Sequence, residues 1–135
     1  MNPTKLFPLV VTNNLVATRD FYTKKVGFEI TMEMDQYLQV RYGDGPELSF
    51  MQHSGDANAS AHNRPFGGQG LIISIPTGDP DAKCAHVRDQ GAPITCEPSD
   101  KPWGWRSFMT TDPNGVALDF FKVLNAPKPS PEQSS

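Results

Sequence analysis

Apolar positions recur along this chain with two periods, and the same succession of periods occurs twice. Leu6–Thr12 is an apolar run holding Val10 and Val11, which predicts a buried strand. Asn13 or Asn14 stands where a helix cap is needed. Leu15, Thr18, Tyr22 and Val26 follow at spacings of three and four, with Phe21 beside them, which predicts one apolar helix face. Gly27 ends that helix as a residue able to take positive φ. Phe28–Met34 alternates Phe, Ile, Met and Met against Glu, Thr and Glu, a half-buried strand. Tyr37–Tyr42 is another strand, Gly43-Asp44-Gly45 turns the chain, and Glu47–Gln52 is a further strand.

The pattern returns sixty-five positions after Leu6, at Leu71. Leu71–Ile75 is apolar, and Asp79-Pro80-Asp81 opens a helix with Pro80 suited to its first turn. Ala82–Gln90 continues that helix and Gly91 stops it. Ala92–Cys96 reads as a short strand and Glu97–Trp105 as a loop holding Pro98, Pro102 and Gly104. Arg106–Thr111 and Val116–Val123 flank the turn Asp112-Pro113-Asn114-Gly115 as a hairpin. Each half therefore reads strand, helix, then strands: an α+β chain of two tandem βαβββ modules, able to close around one cavity. The expected boundaries are a first module over 1–54, a polar, glycine-rich linker over 55–69, a second module over 70–125, and a disordered Pro/Ser-rich tail over 126–135.

The 135 residues are 37% apolar, enough for a real core, and the net charge of −3 is spread along the chain. That spread lacks the basic footprint of a nucleic-acid binder and fits a neutral or cationic small molecule better. No run reaches the roughly twenty apolar residues that span a bilayer, and the start lacks a signal peptide's apolar segment, so a cytoplasmic protein is expected. In that compartment Cys84 and Cys96 are expected as free thiols. There is no nucleophile elbow, phosphate-cradling loop or dinucleotide fingerprint.

Three pieces together resemble a known family. They are the helix end Asp20-Phe21-Tyr22-Thr23-Lys24-Lys25-Val26-Gly27-Phe28, the turn Asp112-Pro113-Asn114-Gly115 followed by Val116-Ala117-Leu118-Asp119-Phe120, and the order of elements in both halves. Over about residues 5–124 the chain is similar to the vicinal oxygen chelate superfamily of glyoxalases, bleomycin-resistance proteins and extradiol dioxygenases. The resemblance implies an open, strongly curved, barrel-like sheet around a cavity. It also implies a homodimer whose subunits share in building the clefts. Many members hold a divalent metal with ligands from the first and last strands of each half. Those positions fall here on Phe7, Ser49, Leu71 and Asp119, of which Asp119 alone is a ligand type; a shifted strand brings in Glu47. Two carboxylates without imidazole make a poor site for zinc, iron or nickel. The expectation is therefore no metal and no cofactor; if a metal is present, Glu47 and Asp119 hold it.

An apolar floor at Phe7 and Leu71 suits an organic ligand. The loop Pro102-Trp103-Gly104-Trp105-Arg106 resembles the bleomycin-resistance branch, in which aromatics near the rim sandwich flat rings. Trp103 and Trp105 would stack on a ligand, Arg106 and Asp119 would anchor it, and Ser49 and Phe121 would line the cleft. Core packing of one Trp, and pairing of Asp119 with Arg106 or Arg41, remain open alternatives. His53, His62 and His86 fall at no ligand position and read as solvated. The expected function is metal-independent, antibiotic-resistance-like binding of a small aromatic or cationic molecule at a dimer interface, without a bond made or broken. The alternatives are a metal-dependent lyase, isomerase or dioxygenase of the glyoxalase type, and an interaction module that takes no small ligand.

Overall fold

The computed structural model describes residues 3–125; the expected tail, 126–135, lies outside them. Strand β1 (Leu9–Thr12) leads through the cap Asn14, whose Oδ1 accepts the Ala17 N–H at 3.0 Å, into helix α1 (Leu15–Asp20). The helix widens into a π-helical turn over Phe21–Lys25, and Gly27 takes φ +83° beyond it. Strands β2 (Glu29–Met34), β3 (Tyr37–Arg41) and β4 (Glu47–Gln52) follow. The second module repeats the order as β5 (Ile72–Pro76), α2 (Pro80–Asp89), β6 (Ile94–Asp100), β7 (Trp105–Thr111) and β8 (Ala117–Val123). Here Asp79 caps the helix by accepting the Ala82 N–H at 3.1 Å, with Pro80 in the first turn.

Each module is one four-stranded sheet, ordered β1-β4-β3-β2 and β5-β8-β7-β6, so the fold is α+β with two open sheets and no closed barrel. In each sheet the first strand pairs parallel with the last, which the helix connection requires, and the other pairings are antiparallel. β1 and β5 start later than the sequence expectation, at Leu9 and Ile72, and Trp105 belongs to β7; the largest difference is the end of β6. The chain after Cys96 is strand, not loop, as far as Asp100. The ladder with β7 shifts register between Cys96 and Ser99, and that irregularity takes up Pro98, which has no N–H to donate. Among the described residues no helix is long and apolar enough to cross a membrane.

The two helix-bearing sides share one core. Phe50, Tyr22 and Val40 from the first module and Phe108, Phe120 and Leu118 from the second are fully enclosed in one cluster. Tyr42 sits 5.2 Å from Phe28 and 5.5 Å from Phe120, which joins the modules through rings. Lys83 of α2 reaches across, donating to the Val26 carbonyl at 2.8 Å while its ammonium lies 4.8 Å from the Tyr42 ring centre. At the other end of the seam Tyr22 donates its hydroxyl to Asp112 Oδ2 at 2.7 Å. Asn114 bridges Thr12 and Thr18 there. Among the described residues no strand ladder crosses between the sheets.

Burial, and then the adjacent Asp112 carboxylate, push the Tyr22 phenol well above its ordinary range. Below about pH 10 the phenol is protonated in folded and unfolded chains alike, and its contribution to stability is fully present. Above that pH the unfolded chain loses the proton first, so stability falls, by about 1.4 kcal/mol per pH unit, until the folded phenol also titrates. Urea melts between pH 9 and 11 are expected to show this extra slope in the natural chain and its loss in Tyr22→Phe. Parallel slopes in the two would contradict the assignment.

Candidate functional site

Strand alternation decides which side chains meet the shared core and which look away from it. Phe120 touches the first module, so its neighbours Asp119 and Phe121 belong to the opposite, outward face of the second sheet. Register extends that face. Cys96, Met109, Asp119 and Ser74 form a row across β6, β7, β8 and β5, and Ser107 stands beside Phe121. The outward face of the first sheet carries Tyr37, Gln39 and Arg41 on β3 opposite Met51, Ser49 and Glu47 on β4.

An aromatic shelf ends the second face. Trp105 stacks on Phe121 with ring centres 3.9 Å apart and planes 12° from parallel. Trp103 meets Trp105 edge-on at 6.5 Å and is 48% exposed. Beside the shelf, Asp119 is buried to 5% exposure. Its Oδ2 accepts a long 3.4 Å bond from Ser74 Oγ, and its Oδ1 has no partner. Ser107 Oγ is also buried without a partner, and so are Gln39 Oε1, Arg41 Nε and Glu47 Oε2 on the first outward face. A buried polar atom left unpaired costs about 1–3 kcal/mol. These five lie on the two outward faces rather than in the shared core; Thr31 Oγ1 and His53 Nε2 are buried without a partner as well.

The expected site residues separate into two sets. Trp103, Trp105, Phe121 and Asp119 come together on the second face. Ser49 lies fully buried on the first, its Oγ donating to the Pro8 carbonyl at 3.0 Å. Phe7 is half-buried ahead of β1. Leu71 packs against the shared core, while Ile72, 57% exposed, and Ser74 take the outward positions. Aligning the modules on their caps explains this: Phe7 lies seven residues before Asn14, and Ile72 lies seven before Asp79. Arg106 alternates with Trp105 and turns to the helix side, where its guanidinium grips Asp81 at 2.7 and 2.9 Å and reaches Asp100 at 2.9 Å. The hydrogen bonds from Arg106 hold the Asp81 carboxyl below its usual range. Neither Arg106 nor Arg41 forms an ion pair with Asp119 among the described residues. Ser107 and Gln39 were not legible as site residues; strand parity from Trp105 and Ser49 is the signal that finds them.

The donors do not suit a bound transition metal. Asp119 has Ser74 and Met109 as ladder neighbours, and Glu47 has Arg41. Among the described residues no three His, Cys, Asp or Glu side chains come together, whereas such ions take three or four protein ligands. His53, half-buried after β4, accepts the Gly55 N–H on Nδ1. Both cysteines are free; burial pushes the Cys84 thiol up, and Cys96 accepts a 3.5 Å contact from Lys101 Nζ.

A family model described as Glyoxalase/Bleomycin resistance protein/Dioxygenase superfamily matches residues 6–120. No curated protein matches the chain. Among solved structures, the chain is similar to a glyoxalase/bleomycin resistance protein/dioxygenase from Nocardioides, with 24% identity, 96% of this chain and 89% of that one covered, and a TM-score of 0.73. It is also similar to TnmS3, an antibiotic binding protein from Streptomyces sp. CB03234, with 25% identity, 87% and 93% covered, and a TM-score of 0.66. A family enzyme from Burkholderia phytofirmans PsJN shares the fold at 16% identity, with 87% and 97% covered and a TM-score of 0.69.

Proposed function

The chain belongs to the glyoxalase/bleomycin resistance protein/dioxygenase superfamily, and within it we propose that this protein sequesters a small, flat, aromatic or cationic organic molecule without a metal, in a cleft that a second copy completes. The observation that carries this reading is the buried, unpartnered Oδ1 of Asp119 beside the Trp105–Phe121 stack. A carboxylate oxygen held there at a cost is suited to accept a donor or a positive charge from a bound molecule, while the indole faces take its ring. The outward faces also expose Leu9, Met34 and Ile72, apolar surface that a second copy would cover. The likeness to an antibiotic binding protein points the same way. The protein acts by holding its ligand, so no residue needs a catalytic role.

Ethidium, a planar aromatic cation, tests this by quenching of tryptophan fluorescence. Saturable 1:1 quenching is expected, weakened about tenfold by Trp105→Ala through lost stacking. Asp119→Asn is expected to weaken it by a similar factor while leaving the melting temperature equal or higher, because the oxygen it neutralises has no partner in the free protein. Binding indifferent to both substitutions would place the ligand elsewhere. A monomer in sedimentation at tens of micromolar would remove the second copy from the proposal.

A further inference from the structure

Edge strand β6 brings a thiol and an ammonium together on the outward face that ends in the tryptophan shelf. Cys96 pairs with Met109 in the ladder, and Met109 with Asp119, so the thiol stands in the row that leads to Asp119. Glu97, one residue on, turns to the helix side and bonds Arg88. Lys101 follows the end of β6, and its backbone N–H donates to the Trp105 carbonyl at 2.6 Å, which roots it beside the shelf. Its Nζ lies 3.5 Å from Cys96 Sγ and donates to Ser99 Oγ at 2.8 Å. Among the described residues Lys101 makes no ion pair. An ammonium carries more donors than these two acceptors use. Cys96 is half-buried, whereas Cys84 is 2% exposed within the shared core. A separate feature adds to the pair. Ser107, between Ser99 and Phe121 in the ladder and on the same face, is 1% exposed, and its Oγ has no partner. A polar group of a bound molecule would relieve that cost.

Resting on the reading of this face as the ligand cleft, we propose that Cys96 captures one class of ligand covalently: flat aryl enones, by conjugate addition. The lysine stem is rooted opposite Trp105 and ends at Cys96, so it spans the gap between shelf and thiol. An aryl ring carrying a conjugated enone spans the same gap, with its ring on Trp105 and its alkene at Cys96. The sulfur bonds the β-carbon, the carbon–carbon π bond opens, and its electron pair moves to the carbonyl oxygen. The Lys101 ammonium donates an N–H to that oxygen as the charge develops. The proton lost from the thiol returns through water to the α-carbon. The sum is S–H added across the double bond, with no leaving group, oxidant or reductant. Each chain takes up one ligand, so the protein remains a trap.

Intact-protein mass spectrometry with peptide mapping tests this, using 4-phenylbut-3-en-2-one and its aliphatic counterpart hept-3-en-2-one. The aryl enone is expected to label Cys96 and spare Cys84 in the folded chain. Labelling of Cys96 should run about tenfold faster or more than in the urea-unfolded chain at the same pH. Lys101→Met is expected to remove about tenfold of that rate, and Trp105→Ala to bring the aryl enone down to its aliphatic counterpart. Saturation with ethidium should slow the labelling. A folded rate no greater than the unfolded one, indifference to Lys101→Met, or equal gains for the two enones would each overturn the capture. Saturable ethidium quenching beside an unlabelled Cys96 overturns the capture alone and leaves the cleft standing. Ethidium that neither quenches nor protects overturns both. Should circular dichroism show Lys101→Met unfolded, the folded-to-unfolded ratio and the ethidium protection still decide.

Discussion

Asp112→Ala is expected to lower the stability of this protein by about 3–5 kcal/mol, among the largest losses that one side chain here can cause. Asp112 is 5% exposed and serves two ends at once. Its Oδ1 accepts the N–H groups of Asn114 and Val116 at 2.8 and 2.9 Å, shaping the β7–β8 turn. Its Oδ2 accepts the hydroxyl of Tyr22 at 2.7 Å, tying that turn to the other module. Alanine leaves two backbone donors and a buried phenol without acceptors, each costing about 1–3 kcal/mol. Asp112→Asn keeps an acceptor and the shape, and should cost about 1–2 kcal/mol. Urea denaturation of the two variants side by side checks the account. An alanine variant as stable as the asparagine one would show that the turn finds its acceptors elsewhere.

Gly115→Ala is expected to cost about 3 kcal/mol or more, lowering the melting temperature by about 10 °C. Gly115 has φ +89°, which alone disfavours a side chain. A Cβ added there would also lie 2.6 Å from the Cα of Gly68, so linker and turn cannot both stay in place. Gly43 separates the two causes. Its φ is +58° and no atom stands within 4 Å of an added Cβ, so Gly43→Ala should cost only the conformational part, about 1 kcal/mol. Equal thermal shifts for the two variants would refute the role of the Gly68 contact.

What the sequence made legible follows from how local each signal is. The caps Asn14 and Asp79 and the stops at Gly27 and Gly91 act within one helical turn, and the duplicated order of elements follows from them. The π-helical widening at Phe21–Lys25 left no mark, because the apolar spacing is much the same in either helix. Parity was legible only where a strand was. With Glu97–Trp105 read as a loop, nothing showed that Trp105 and Arg106 face opposite ways, and the Arg106 grip on Asp81 and Asp100 was out of reach. A one-residue offset did the same to Leu71 and Ile72. Tyr22 read as one more apolar helix position and Asp112 as turn chemistry. Their bond spans ninety positions, and no short window reports it.

The seam between the halves is built from rings, a lysine and one hydrogen-bonded turn, and among the described residues no ladder crosses it. Such a junction fixes which surfaces meet and is indifferent to whose chain provides them. Residues 54–58, exposed throughout, then serve as a tether that keeps matching halves close. With that tether drawn taut or shortened, the same rings could be met by a neighbouring molecule, so this architecture is open to swapping its halves between chains with no surface redesigned.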